Sequence, residues 1–416
     1  MQSRFGKWSF AIGLLCCVLP LLMQSATVHA AQTGSSDAPP YRIIGYYPSW
    51  GVYARTYMVT DIPTGMLTHI NYAFANFHED GTVLLGDESA DTSIIYPGDQ
   101  TSDPNALRGN FRQLQRMKEA DPGLQTLISI GGWNWSARFS DVARTPEVRA
   151  TFAASAVDFM VRYGFDGVDI DWEYPTGGGH PLNHTDPNDP ENFILLLEAL
   201  RARLDEQGAQ DGRHYLLTIA TGAGRDKYET LDWSRITQAV DWINLMTYDM
   251  AGPASDVTGF AAPLYDSTEN PPEGTSVDTA VQGYLSMGVP PSMINVGVPF
   301  YGRGWGEVPA ENNGLHQPFG SIPSGTWEPG FFDYVDLAEN YVPNYPRFWD
   351  ETSQSPWLYD PDTGIMITYD DPESIAIKMA YVREHGLGGG MFWDLSGDDT
   401  QASLLTAMYE ALNGNG

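Results

Sequence analysis

Cysteine is almost absent from this sequence of 416 residues, and both of its cysteines, Cys16 and Cys17, lie close to the N-terminus. The rest of the chain therefore cannot form a disulfide framework, and thiolate chemistry is excluded there. Long apolar runs are also scarce, because the best candidate, residues 10–23, is too short to span a bilayer comfortably. With 42% hydrophobic and 12% aromatic residues, the chain can still build a large core without cross-links.

Lysine is the second scarce residue, since the chain has only Lys7, Lys118, Lys227 and Lys378. Asp and Glu together number 53 against 22 Lys and Arg, which gives a formal net charge of −31. Such a surface repels phosphate backbones, so we expect no nucleic-acid partner. The charge favours a neutral or cationic substrate, and adaptation to an acidic or salty habitat explains it at least as well.

The first 30 residues, 1–30, have the pattern of a secretory signal peptide. Arg4 and Lys7 precede the apolar run, and small residues lead up to a predicted cleavage after Ala30. Residues 31–40 are polar and lack periodicity, which predicts a disordered leader. We therefore expect a secreted, extracellular protein with no membrane segment after cleavage, and a monomer as the default state.

From residue 41 onward, short apolar strands alternate with helical segments, which is typical of a βα barrel. The helical segments include 147–163, 190–206 and 372–385. Eight strands and their helices in a body of this size predict a (β/α)8 TIM barrel. A doubly wound sheet is the alternative, but no G-x-G-x-x-G nucleotide loop supports it. The predicted strands are 42–47, 67–76, 125–131, 165–173, 215–221, 240–247, 295–300 and 389–395.

The connection between the seventh and eighth strands is too long for one barrel helix. Residues 302–370 are rich in proline, glycine and aromatic residues and show little helical periodicity. Within them, 331–334 and 364–369 have the composition of strands. We therefore predict a small α+β subdomain at 302–370, inserted at the top of a catalytic barrel formed by 41–301 and 371–416. Such a wall would deepen a substrate cleft.

Four carboxylates, Asp166, Asp169, Asp171 and Glu173, lie in the fourth predicted strand, interleaved with Val, Ile and Trp. Since side chains alternate along a strand, the last three acids share one face, and Asp166 lies at the strand entrance. Burying three carboxylates on one face is costly unless they share protons or find partners, so a functional site is expected. A structural carboxylate network or a cation site is the alternative. No His or Cys stands nearby at ligand spacing, so we expect no metal.

The spacing of these acids, D-x-x-D-x-D-x-E, resembles the signature of family 18 glycoside hydrolases, the chitinases and their relatives. Two further motifs resemble that family, S-x-G-G at 129–132 and M-x-Y-D at 246–249. Taken alone, the first motif could be a plain strand-to-loop turn, and the Tyr-Asp pair is a weak signal. The predicted insertion is similar to that of the subgroup with larger grooves, so the resemblance, over 41–412, is to a bacterial-type chitinase.

The resemblance implies a role for each acid. Glu173, at the mouth of the barrel, would protonate the leaving oxygen and later activate water. Asp171 would hold the substrate's acetamido nitrogen and stabilise an oxazolinium-like intermediate, while Asp169 shares a proton or charge with it from below. Asp171 is poorly placed to attack from the opposite face of the sugar, because it points the same way as Glu173 and its Cα lies only about 7 Å from that of Glu173 at the rise of a strand. Tyr248 would align the acetamido oxygen as nucleophile, and no cofactor is implied.

Other side chains would bind the sugar or support the acids. Trp393 matches the family's floor of the subsite that holds the cleaved sugar, a use that suits a flat indole. Arg303 would contact sugar, or act instead as a structural partner of the acids, and Asp249 would bind a sugar hydroxyl or Glu173. The remaining predicted site residues are Tyr46 and Ser129, which reach the deep acids, Trp133 at the mouth, and Met246 beside Tyr248.

One position departs from the family pattern, because Ala254 stands where some relatives have a tryptophan beyond the cleavage point. This substitution argues against strong processivity. The leading hypothesis is a secreted chitinase that acts on chitin or chito-oligosaccharides by a retaining, substrate-assisted mechanism. The alternatives are an endo-β-N-acetylglucosaminidase acting on glycoprotein glycans and a non-catalytic chitin-binding lectin. The lectin is disfavoured because Glu173 is present.

Overall fold

The computed structural model describes residues 41–99, 106–267 and 276–414. The predicted signal peptide at 1–30 and the predicted leader at 31–40 lie outside the described residues. Within the described ranges, no helix is both long enough and apolar enough to cross a membrane.

Eight parallel strands form a closed barrel, which confirms the predicted (β/α)8 fold. The barrel strands are β1 (Arg42–Pro48), β2 (His69–Phe77), β3 (Gln125–Gly131), β4 (Gly167–Asp171), β5 (Leu216–Gly222), β6 (Trp242–Met246), β7 (Ile294–Pro299) and β13 (Gly389–Trp393). Closure comes from β1, which pairs with β2 on one side and with β13 on the other.

Helices cover the outside of the barrel and bury the outward-facing side chains of its strands. They are α1 (Gly109–Ala120), α2 (Phe139–Ala143), α3 (Pro146–Tyr163), α4 (Asp189–Asp211), α5 (Arg225–Tyr228), α6 (Trp233–Ala239), α7 (Val277–Ser286), α9 (Pro372–Glu384) and α10 (Ser403–Asn413). A further single turn, α8 (Tyr334–Asp336), lies in the long connection between β7 and β13. The ends of α3 follow from its sequence. The Thr145 side chain accepts a hydrogen bond from the Val148 amide, and Gly164 ends the helix with a left-handed φ of 77°.

The alternation of side chains along β4 places its residues in two environments. Val168 and Ile170 point outward into the apolar layer beneath the helices, and both are fully buried. Asp169 and Asp171 occupy the alternate positions and point into the barrel. Asp171 is the last residue of β4, and Asp169 lies two residues before it. Both acids therefore lie toward the C-terminal end of the strands, where TIM-barrel active sites form.

The strand β4 is shorter than the predicted range 165–173, because it ends at Asp171. The Asp171 carbonyl accepts a hydrogen bond from the Gly132 amide, and the Glu173 amide donates to Ser136 Oγ rather than to a neighbouring strand. Glu173 therefore lies in the loop that follows the strand, not at the strand end as predicted.

A second, antiparallel sheet of five strands lies between β7 and β13 in the chain. Its strands are β8 (Tyr301–Trp305), β9 (Phe331–Asp333), β10 (Arg347–Asp350), β11 (Ser355–Asp360) and β12 (Ile365–Thr368). Trp305, Trp357 and Met366 form its core together with Phe260 from the loop after β6. Only β9 and β12 were predicted as strands, and the domain boundaries at 302 and 370 stay predictions.

One buried ion pair joins the end of this sheet to the barrel. Lys378 of α9 lies 2.6 Å from a carboxylate oxygen of Asp370, just after β12, and the Lys378 side chain has no exposed surface. Ser374 also donates its hydroxyl to Asp370 at 2.6 Å. This pairing satisfies the buried ammonium and fixes the point where the chain returns to the barrel.

Candidate active site

Asp169 lies deepest in the site, inside the barrel, with no exposed surface. Its carboxylate accepts hydrogen bonds from three hydroxyls, those of Tyr46 (2.8 Å), Ser129 (2.7 Å) and Thr218 (2.5 Å). The Asn244 amide donates a longer one of 3.4 Å. Burial raises the pKa of Asp169, and these hydrogen bonds oppose the rise. Four neutral donors from β1, β3, β5 and β6 thus hold one carboxyl group.

Asp171 is the next acid toward the opening, and 4% of its surface is exposed. Burial raises the pKa of Asp171 well above its usual range, and the carboxylates of Glu173 and Asp169 raise it further. Among the described residues, the buried Oδ1 atom of Asp171 has no hydrogen-bond partner. A buried oxygen without a partner is costly, so a bound molecule with a polar hydrogen would be stabilised there. In the part of the chain that the structure describes, no group of three His, Cys, Asp or Glu could hold a metal ion.

Glu173 lies above these acids, with its backbone held at both ends. Its amide donates to Ser136 Oγ at 2.9 Å, and its carbonyl accepts from Asn183 Nδ2 at 2.6 Å. Burial raises the pKa of Glu173 to about 7, while a hydrogen bond with the Tyr174 side chain lowers it and the charge of Asp249 raises it. A carboxyl group with a pKa near neutrality can both carry and release a proton, as general acid catalysis requires.

Tyr248 and Met246 come from the end of β6 and lie at the same mouth of the barrel. Burial raises the pKa of Tyr248 well above its usual range, and the charges of Asp171 and Glu173 raise it further, so its hydroxyl keeps its proton. This hydroxyl lies 3.9 Å from the Met391 sulfur on β13. Tyr248 and Met246 pack on the apolar layer that surrounds the acids, so Tyr248 offers a fixed donor beside them.

Trp393, the last residue of β13, forms an apolar floor at the opening. Its ring is stacked on Phe74, with centroids 5.7 Å apart and an interplanar angle of 14°. The rings of Tyr46 and Trp50 lie 5.8 and 6.1 Å away at steeper angles. A half-buried indole fixed in this way offers a platform for the apolar face of a pyranose.

Asp249 and Arg303 form an ion pair at the rim, with 2.7 Å between Asp249 Oδ1 and Arg303 Nε. The guanidinium also lies over the rings of Tyr301 and Phe331, 5.1 and 5.0 Å from their centres. Arg303 is therefore a partner of an acid in the structure, which is one of its two predicted roles, and a contact with sugar stays a prediction.

Two residues that stand out in the sequence have their recorded partners outside the acid cluster. Trp133, on the loop after β3, is 47% exposed and meets the ring of His180 edge-on at 6.1 Å. Asp166 lies at the opposite, N-terminal end of β4, where it pairs with Lys118 at 2.6 Å and with Arg213 at 2.7 Å. Asp166 thus supports the lower end of the barrel.

The model of the family described as Glycosyl hydrolases family 18 matches residues 42–398 of this chain. The chain belongs to glycosyl hydrolase family 18. The matched segment contains all eight barrel strands, the second sheet and the whole acid cluster, so the family assignment applies to the site as well as to the fold.

Curated relatives of this family 18 protein carry chitinase names. Chitinase A1 of Niallia circulans is 43% identical over an alignment that covers 95% of this chain and 61% of the relative, so the chain spans only that part of it. Chitinase 1 of Aphanocladium album is 39% identical, with 88% and 84% covered.

Solved structures have the same fold. Chitinase ChiA74 from Bacillus thuringiensis superposes with a TM-score of 0.85 at 40% identity, covering 90% of this chain and 70% of that one. An N-acetylglucosaminidase of the family from Paenibacillus barengoltzii gives a TM-score of 0.75 at 35% identity, covering 89% and 99%. The fold alone therefore accommodates more than one named activity.

Several residues around the family 18 acids were not predicted from the sequence. Thr218 and Asn244 bind the deepest aspartate from β5 and β6, and their polar side chains in otherwise apolar strands were the available signal. Ser136 and Asn183 hold the backbone of Glu173 from two loops, where no periodicity indicates them.

Proposed function

We propose that this family 18 protein is a secreted chitinase that hydrolyses β-1,4 linkages between N-acetylglucosamine units with retention at the anomeric carbon. The observation that carries the proposal is Asp171, which lies beside Glu173 and has a buried oxygen without a partner among the described residues. Two carboxyl groups on one side of the cleft favour a nucleophile supplied by the substrate itself.

Glu173 donates the first proton. Below its pKa of about 7 its carboxyl group is protonated, and it transfers the proton to the oxygen of the departing sugar. The bond between that oxygen and the anomeric carbon breaks as the acetamido oxygen of the sugar above Trp393 attacks from the other face. Positive charge then develops on the acetamido group, where the carboxyl group of Asp171 stabilises it.

Tyr248 and Asp171 align the attacking group. The Tyr248 hydroxyl donates to the acetamido oxygen, and Asp171 Oδ1 accepts from the acetamido N–H. Asp169 shares a proton with Asp171 from below. The hydroxyls of Tyr46 and Ser129 donate hydrogen bonds to Asp169. Ionised Glu173 then removes a proton from water, the water oxygen attacks the anomeric carbon, and the bond between that carbon and the acetamido oxygen breaks. Two inversions therefore give net retention.

The rim of the cleft binds the rest of the chain. Trp133 offers an exposed ring, and the Arg303–Asp249 pair offers polar contacts. Met246 contributes apolar surface in the cluster that also includes Tyr248 and Trp393. Chitin or a chito-oligosaccharide suits this site, because it is neutral and carries an amide on every sugar. The chitinase names of the relatives support the same substrate class.

Glu173→Gln tests the proton donor. We expect kcat to fall by about 10³-fold, within the range that general acid catalysis contributes, while the calorimetric affinity for chitohexaose changes little. Glu191→Gln is the matched control, because Glu191 pairs with Arg235 on the outside of the barrel, and it should retain full turnover. Near-normal turnover of the Glu173→Gln variant contradicts the proposed role.

Two further measurements separate the remaining possibilities. A cyclic thiazoline that mimics the oxazolinium should inhibit, and its failure to do so counts against substrate assistance. Products from chitohexaose and from a high-mannose glycoprotein are compared in parallel. Release of glycan without cleavage of chitohexaose would favour an endo-β-N-acetylglucosaminidase, and chitin binding without release from a fluorogenic chitobioside would favour a lectin.

A further inference from the structure

Lys227 lies beside the loop that carries Glu173. It belongs to α5, just after β5, and 17% of its side chain is exposed. Its ammonium donates to the Gly177 carbonyl at 2.8 Å and lies 4.7 Å from the centre of the Tyr174 ring. It also pairs at 2.7 Å with Asp226, whose side chain is 71% exposed. The lysine thus spans from a surface carboxylate to the loop of the catalytic acid.

Tyr174 connects this lysine to the acid. It follows Glu173 directly in the chain, and its side chain lies close enough to the Glu173 carboxyl group for each to shift the pKa of the other. Burial raises the pKa of Tyr174 well above its usual range, and the charges of Glu173 and Asp171 raise it further. The hydroxyl therefore keeps its proton and can donate it in a hydrogen bond to the carboxyl group.

The packing around Lys227 and Tyr174 depends on glycine. A Cβ at Gly222, the last residue of β5, would lie 2.8 Å from Lys227 Cγ and 3.0 Å from Tyr174 Cε1. The loop residues 177–179 are three glycines with φ of 94°, 81° and 76°, a path that other residues rarely adopt. This path presents the Gly177 carbonyl to the ammonium, so the loop and the lysine fit each other.

An ammonium over an aromatic ring is attracted to the π face and polarises the phenol, which strengthens its hydroxyl as a donor. We propose that Lys227 is a positioning residue that acts on Glu173 through the ring of Tyr174. Lys227 holds this ring beside Gly222 with the hydroxyl toward the carboxyl group. The inference rests on the proposed function, because it takes Glu173 as the proton donor.

Other titratable groups lie around Glu173, and their charges act on its pKa together with Tyr174. Asp171 comes from β4, and Tyr248 and Asp249 come from the loop after β6. The charge of Asp249 raises the pKa of Glu173, whereas the hydrogen bond with Tyr174 lowers it. Loss of the Tyr174 hydroxyl should therefore move the pKa of Glu173 upward.

The test is the pH dependence of kcat/KM on a soluble chito-oligosaccharide, whose decline at high pH reports ionisation of the proton donor. For Tyr174→Phe we expect the midpoint of this decline to move upward by about half a pH unit, since one hydrogen bond to the ionised form is lost. Lys227→Met should give a smaller shift in the same direction. In the Tyr174→Phe background, Lys227→Met should add no further shift.

Two variants serve as controls. Lys227→Arg keeps a cation that can lie over the ring and should restore the wild-type midpoint. Arg225→Met removes a positive charge from the same helical turn, where Arg225 pairs with Glu229 at 2.8 Å, and should leave the midpoint unchanged.

Three results would overturn the inference. The first is a Lys227→Met variant that loses only thermal stability or kcat, with the midpoint in place, because a structural lysine would behave in that way. The second is a shift that persists in the Tyr174→Phe background. The third is an unmoved midpoint in Tyr174→Phe, which decides the matter even where Lys227→Met fails to fold. Near-normal turnover of Glu173→Gln, measured in parallel, contradicts the proposed function instead.

Discussion

The pKa values of the carboxyl groups at the two ends of β4 are shifted in opposite directions. At the N-terminal end, burial opposes ionisation of Asp166, but Lys118 and Arg213 outweigh it, and the pKa of Asp166 is lowered. At the C-terminal end, burial raises the pKa of both Asp171 and Glu173, and the charges of neighbouring carboxylates raise each further. Within eight residues, one acid is a fixed anion and another can carry a proton at neutral pH.

The difference comes from the neighbouring elements and not from the strand. The cations at the lower end come from α1 and from the segment just before β5. The upper end receives neutral donors, among them Tyr46, Ser129 and Tyr174. In a TIM barrel the N-terminal face of the strands serves stability and the C-terminal face serves chemistry. In β4 the acid at the first face has cationic partners, and the acids at the second face have neutral donors.

Asp171→Asn removes an acid at the C-terminal, upper end of β4 and should have the largest effect on turnover. The variant loses the negative charge that stabilises the developing cation, so we expect kcat to fall by about 10²- to 10³-fold. Its melting temperature should stay the same or rise, because one of three crowded acids is gone. Turnover of a fluorogenic chitobioside and a thermal melt measure both quantities. A drop in both together would mean that the upper acids stabilise the fold as Asp166 does.

Asp166→Asn removes the acid at the N-terminal, lower end of β4 and should reduce stability while leaving turnover unchanged. Removing one partner of a largely buried ion pair leaves Lys118 poorly compensated, so the free energy of unfolding should fall by about 2 to 3 kcal/mol, at the low end because Arg213 is partly exposed. Urea unfolding measures this loss. Turnover of the folded enzyme should match the wild type, and a large loss of kcat would contradict the division between the two ends.

The pH dependence of stability sharpens the comparison. Glu173 has a folded pKa of about 7, above its unfolded value, so its contribution to stability is present at acidic pH and is lost as pH rises through 7. Asp166 has a lowered folded pKa, so its contribution is present at neutral pH and is lost only as pH falls below the ordinary range of Asp. As pH rises from 5 to 8, the free energy of unfolding of Glu173→Gln should therefore increase relative to that of the wild type. The free energy of unfolding that Asp166→Asn loses relative to the wild type should be constant over the same range.

Ser129→Ala should have the smallest effect. It removes one of four donors to Asp169, which costs about 1 kcal/mol of stability and leaves the other three in place. We expect kcat to fall only a few-fold, measured beside the wild type on the same chitobioside. A loss as large as that of Asp171→Asn would show that Ser129 has a separate role in the reaction.

The barrel and the acids could be predicted from the sequence because both depend on local patterns. The predicted bounds of β3, 125–131, agree with the structure because an apolar strand there lies between Gly123 and Gly132. The end of β4 could not be predicted, since it depends on Ser136, which captures the Glu173 amide from another loop.

The second sheet shows the limit of local patterns. Strand β10 has only four residues and starts at Arg347, which is exposed, and β11 contains Pro356, so the aromatic residues of each form too short a pattern to predict a strand. Strand β10 pairs with β11, and β11 pairs with β12, so contacts along the sheet fix both strands. The contact of Lys227 with Tyr174 likewise joins the short helix α5 to the loop after β4, which no motif in the chain indicates.

The few lysines of this protein have a practical consequence for anyone who wishes to attach it to a solid support. Within the described part of the chain, Lys118 and Lys227 are mostly covered and Lys378 is completely covered. Amine-reactive linkers therefore meet poorly accessible targets, and acylation of Lys227 would remove the charge beside Tyr174. Carbodiimide coupling through the abundant surface carboxylates is the better route, provided that a substrate analogue protects the cleft during the reaction.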